Sequence, residues 1–149
     1  MQKICRQAEE MLSELEGLPL SMARKLDPCE LYELLFGNSY VNYEEAPNGT
    51  QEKRAHFEFC IHGQCDVRIG EERLTGWSTD GELQRALRGF LGTAVEGAAL
   101  GTWNVLRLRF PAGAIEFCPI PDKDEAWRLF SQDRARAHLV AAFSDMAFE

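Results

Sequence analysis

Apolar positions along the chain change period several times, and each change marks an element. Ile4, Ala8, Met11, Leu12 and Leu15 recur every three or four residues while Glu9, Glu10, Glu14 and Glu16 take the other faces, so 2–16 predicts an amphipathic helix. Gly17 and Pro19 stop it. Residues 18–25 and 30–36 read as strands around the Asp27-Pro28 turn, with Tyr32, Leu34 and Phe36 on one face. Alternation returns at 54–60, which places Phe57, Phe59 and Ile61 on the buried side and His56, Glu58 and Cys60 on the other. Short strands at 65–69 and 73–77 flank the Gly70-Glu71-Glu72 turn. Ser78 or Thr79 then caps a second helix that runs to Phe90. Strands follow at 93–100, 103–110, 114–118, 126–130 and 137–143, with Pro111-Ala112-Gly113 as a hairpin turn. Two helices and about eight strands make an α+β chain, expected as a largely antiparallel curved sheet with a helix at the head of each half.

The pattern repeats. Gly17 and Gly92 lie 75 positions apart and Phe36 and Phe110 lie 74 apart, each pair closing a helix or a strand. Each copy continues into an alternating segment, Phe57-Glu58-Phe59-Cys60-Ile61 in the first and Ala114-Ile115-Glu116-Phe117-Cys118 in the second. An internal duplication, with repeats at 2–79 and 80–149 inside one compact domain, is the expected architecture. A chain of 149 residues is long enough to bury its own core.

Charge adds a direction. The net charge of −8 divides into −7 over residues 1–80 and −1 over 81–149. An acidic first half repels phosphate backbones and favours a basic protein surface, so the expected partner is a basic protein and not nucleic acid. No apolar run reaches the ~20 residues that span a bilayer, and the N-terminus has no apolar signal region, so a cytoplasmic protein with no membrane partner is expected. Five scattered cysteines, Cys5, Cys29, Cys60, Cys65 and Cys118, predict free thiols.

Candidate chemistry is sparse. Residues 37–53 form the longest irregular stretch, and within it Tyr40 and Tyr43 stand beside Glu44 and Glu45; aromatics in an acidic loop make these four the candidate partner-binding residues. His56, Cys60, His62 and Cys65 have donor types that suit zinc, but along a straight strand His56 to His62 would spread over about 20 Å, so no metal and no cofactor is expected. Cys60, His62 and Cys65 alone could converge if Gly63 turns sharply, but a fourth ligand must then come from elsewhere; Cys65 near His62 makes those two the candidate pocket for an alternative reading as an enzyme or small-molecule site. No catalytic residue is assigned. Trp77, Trp103 and Trp127 fall in strand-like segments and read as core anchors, while Arg107 and Arg109 share a solvent face from which they could meet Glu116.

The segment Ile61-His62-Gly63-Gln64-Cys65-Asp66-Val67-Arg68-Ile69, followed by Gly76 and Asp80, is similar to an "LHVQCPWRI…G…D" pattern in uncharacterised small bacterial proteins, domains of unknown function. Asp124-Glu125-Ala126-Trp127-Arg128-Leu129-Phe130 resembles their "EEWRLF" element. Gly63 stands where the pattern has Val, and Asp66-Val67 where it has Pro-Trp. The resemblance implies a cytosolic bacterial protein and supplies no catalytic residues. By analogy of class it points to an immunity or inhibitor protein.

Overall fold

The computed structural model describes residues 2–26, 31–37, 39–42, 51–54, 56–63, 65–121, 124–133 and 135–149. The chain begins with α1 (Gln2–Ser13), whose Ala8, Met11 and Leu12 are buried along one stripe together with Leu15 just beyond it. Seven strands follow: β1 (Leu20–Leu26), β2 (Leu31–Phe36), β3 (Ser39–Asn42), β4 (Gln51–Arg54), β5 (Phe57–Ile61), β6 (Cys65–Ile69) and β7 (Glu72–Leu74). Then come α2 (Asp80–Ala86), β8 (Gly97–Leu100), a 3₁₀ turn at Thr102–Asn104, β9 (Leu106–Phe110), β10 (Gly113–Pro119), β11 (Trp127–Ser131), β12 (Leu139–Ala141) and β13 (Met146–Phe148). Thr79 caps α2, its Oγ1 accepting from the Glu82 amide at 3.2 Å, while Ser78 Oγ accepts from the Thr75 amide at 3.0 Å.

These strands form two main sheets and not the single curved sheet of about eight strands that alternation suggested. One has the order β1-β2-β5-β11-β12-β13 and the other β7-β6-β10-β9-β8, every pairing being antiparallel; β3 and β4 form a separate hairpin. The difference arises where the chain leaves β5 and enters β6 in the other sheet, and where it returns from β10 to β11. A backbone hydrogen bond from His62 N to Ala126 O, 2.8 Å, ties those two crossings together. The inner faces share one core, in which the Phe59 and Phe117 rings meet across the sheets at 4.7 Å and Phe59 meets Trp127 at 5.4 Å.

Five of the six strands in the larger sheet have counterparts in the smaller one, β13 being the exception. Read from its β8 edge, the five-stranded sheet runs β8-β9-β10-β6-β7, matching β1-β2-β5-β11-β12 in the other. The registers agree too: Ala23 faces Leu34 as Ala98 faces Leu108, and Leu34 faces Phe59 as Leu108 faces Ile115. β5 therefore matches Gly113–Phe117 of β10, one position earlier than the sequence pairing with 114–118. At the join, Gly17 N donates to Val95 O and Gly92 N to Leu20 O, both at 2.8 Å, around a Pro19–Ala94 bridge. Gly17 (φ 85°) and Gly92 (φ 83°) both have left-handed backbone, which explains why glycine stands at each. α1 packs on β8 and α2 on β1, so each helix covers the first strand of the opposite half.

Burial corrects two of the three tryptophans. Trp127 is wholly buried, but Trp77 is 87% exposed and Trp103 is 56% exposed. Trp77 lies past the end of β7, and the 3₁₀ turn holds Trp103 outside β9, so neither follows the strand alternation that would have turned it inward. No helix among the described residues is long and apolar enough to cross a membrane.

Candidate functional site

Alternation in five strands turns a continuous row of side chains outward on the six-stranded sheet. Arg24 faces Glu33, Glu33 faces Cys60, Cys60 faces Arg128, and Arg128 faces Val140 in direct cross-strand register. Neighbours at this spacing interact, and the first of these pairs, Arg24 with Glu33, is an ion pair. The Glu33 carboxylate accepts from Arg24 Nε at 3.2 Å and Nη2 at 3.1 Å.

Arg128 is the hub of the other end. Its Nη2 donates to Glu125 Oε1 at 2.7 Å and to Glu149 Oε2 at 3.3 Å, its Nε reaches both Glu125 oxygens at 3.2 Å, and its Nη1 donates to His138 Nδ1 at 2.9 Å. His62 Nε2 closes on Glu125 Oε2 at 2.6 Å, and the His138 ring stacks on Phe130. Burial pushes the Glu125 carboxyl up, but the Arg128 hydrogen bonds and the pull of His62 and Arg128 outweigh it and hold the group below its ordinary value. The Glu125 bond likewise pushes the Arg128 guanidinium up.

Beyond Arg128 the β12–β13 hairpin encloses a shallow hollow of about 270 Å³, lined by apolar Val140, Ala142 and Met146 and by the acids Glu125, Asp145 and Glu149. The turn of that hairpin carries Phe143, whose ring stacks on Trp103 with centroids 4.6 Å apart and planes within 4°. Asn104, next to Trp103, donates from Nδ2 to Ala142 O at 2.8 Å and to Asp145 O at 3.0 Å. One end of the sheet thus carries three carboxylates, an arginine that two of them engage, and a two-ring aromatic step.

The thiols are in poor condition for nucleophilic work. Burial, reinforced by the charges of Glu33, Glu58 and Glu125, pushes Cys60 up to about 12. Burial likewise raises Cys65 and Cys118, so all three remain protonated near neutrality. Cys5, Cys60, Cys65 and Cys118 are free.

His62 and Cys65, taken together from the sequence as a pocket, sit in different surroundings. His62 is engaged with Glu125 beside the six-stranded sheet, whereas Cys65 is buried in the core, pairs with Pro119 in the five-stranded sheet, and donates from Sγ to Asp66 O. His56 packs against Gly37, where even a methyl group would meet its ring. No group of three or more metal-ligating side chains gathers among the described residues. Of the candidate partner-binding residues, Tyr40 lies in β3 opposite Lys53, and Tyr43, Glu44 and Glu45 lie outside the described residues. Glu116 faces Arg107 on the outer side of the five-stranded sheet, as the alternation implied.

The Arg128 hub and the aromatic step escaped sequence reasoning. The spacing of Glu125 and Arg128 was a visible signal, but Asp124-Glu125 also fits a solvated turn, and Phe143 and Glu149 reach the site through long-range pairing. No protein-family model matches this chain, and no curated protein or solved structure matches it.

Proposed function

We propose that the chain is a non-enzymatic acidic binding protein that blocks or escorts a basic protein partner, in the manner of an immunity or inhibitor protein. The observation that carries this reading is the hollow at β12–β13, where Glu125, Asp145 and Glu149 stand beside apolar side chains and the stacked pair of exposed Trp103 and half-buried Phe143. Such a surface offers contact area and negative charge together, which suits a cationic protein face and disfavours a phosphate backbone. Protonated thiols and carboxylates already committed to arginines suit binding better than covalent chemistry. The net charge of −8 acts in the same direction over longer range. A cytoplasmic bacterial setting, action without a cofactor, and a contribution from Tyr40, Tyr43, Glu44 and Glu45 belong to this proposal. So does descent by internal duplication, supported by the matched strand orders and the paired hydrogen bonds around Pro19 and Ala94.

A second reading, a small-molecule site or enzyme using His62 and Cys65, draws support from the 2.6 Å contact of His62 with Glu125, since a carboxylate orients an imidazole for proton transfer. The experiment that decides is capture of the binding partner from source cells by the intact chain, followed by its identification and binding in graded salt. A basic partner whose affinity falls as salt rises is the expected result, because exposed charges are screened over about 8 Å at physiological ionic strength. A neutral or acidic partner held equally at all salt concentrations would overturn the first reading. Turnover of a metabolite that Cys65→Ala abolishes would establish the second.

A further inference from the structure

Trp103 is exposed, yet it is not a loose side chain. Its backbone is left-handed (φ 56°), as is that of Asn104 (φ 58°), a conformation disfavoured for residues that carry a Cβ. Three hydrogen bonds hold Asn104 there: two from its own Nδ2 to the carbonyls of Ala142 and Asp145, and one from the indole Nε1 of buried Trp127 to Asn104 O at 3.0 Å. The loop is thereby fastened to the β12–β13 turn on one side and to the core on the other. Phe143 backs the Trp103 ring in parallel, so the outer ring is presented as a rigid step.

An aromatic face can stack on a sugar, a nucleobase or a cation, and the surrounding charge decides among these. Ala142 and Asp145, whose carbonyls fix the step, also line the hollow together with Glu125 and Glu149. Three carboxylates against the Arg128 guanidinium that two of them engage leave the site negative. That excludes phosphate and supplies acceptors for a cation. Glu125 is already saturated by Arg128 and His62, whereas Asp145 is exposed and Glu149 makes a single, longer bond to Arg128. A planar cation with several donors fits a flat ring beside a carboxylate better than a compact ammonium does.

Resting on the basic-partner reading above, we infer that Trp103, Phe143 and the adjoining hollow form the anchor site for an arginine side chain of the partner, its guanidinium stacked on Trp103 and its donors directed to Asp145 and Glu149. The site gives the partner's surface a specific contact in addition to diffuse attraction.

The test uses hexa-arginine and hexa-lysine peptides as probes of equal charge, titrated into the intact chain at low salt. Trp77→Phe provides the background, because Trp77 is also exposed and would report as well. Hexa-arginine should change Trp103 fluorescence and shift its indole N–H resonance, and it should bind more tightly than hexa-lysine. Trp103→Ala and Asp145→Asn should each weaken it about fivefold. If Trp103→Ala fails to fold, the indole shift in the chain that retains Trp103 decides. Hexa-arginine binding with no change at Trp103 and no effect of Asp145→Asn overturns the anchor while leaving the basic-partner reading standing. Equal binding of the two peptides overturns the arginine preference, and binding of neither overturns both readings.

Discussion

Glu125 shows how one residue can stabilise the fold and shape the site. It takes bonds from Arg128 and His62, and its carboxyl is held below the ordinary value. The folded state therefore favours the ionised form, and the contribution is complete above the unfolded carboxylate pKa of about 4.3 and is lost as pH falls through the lower folded value. Glu14 behaves in the same way through its bonds from Arg136. Glu125→Gln should flatten the acid limb of the stability curve, measured as Tm between about pH 6 and about pH 2.5. An acid limb as steep as that of the unsubstituted chain would show that the carboxylate is not held as described. The residue types of this network were legible in the sequence, but its partners were not, because Cys60 and Arg128 meet across a pairing that joins β5 to a strand more than sixty positions away.

At the scale of elements, local pattern was informative wherever it was decided by burial on one face. Alternation in β5 turns Phe57, Phe59 and Ile61 inward, and all three are buried. Phe59 sits at the centre, against Phe117 of the opposite sheet and Trp127 of its own. Phe59→Ala should cost about 3–5 kcal/mol in chemical unfolding, through lost burial and the cavity left behind. A loss under about 1 kcal/mol would mean that the site collapses or that the register is inverted. Alternation failed at Trp77 and Trp103 because turns, not strands, carry them, and a turn has no period to read. It also could not reveal the exchange that places β6 and β7 in the second sheet, since each strand buries the same apolar face whichever sheet it joins.

For the whole molecule that exchange has two consequences. Each main sheet draws strands from both halves of the chain, so the −7 of the first half does not become the charge of one face; the candidate surface at β12–β13 in fact comes from the nearly neutral second half. The halves also cannot separate without breaking both sheets. Unfolding followed by tryptophan fluorescence and by circular dichroism should therefore give one coincident transition, and two separate transitions would contradict the shared core.

Acidic recognition of a basic protein is tested most directly by the association kinetics of the captured partner, measured against salt for the intact chain and for an Asp145→Asn/Glu149→Gln double variant. The expected result is an association rate that falls steeply with salt in the intact chain, less steeply in the double variant, together with faster dissociation of the variant complex. Rates indifferent to salt and to both substitutions would contradict the account.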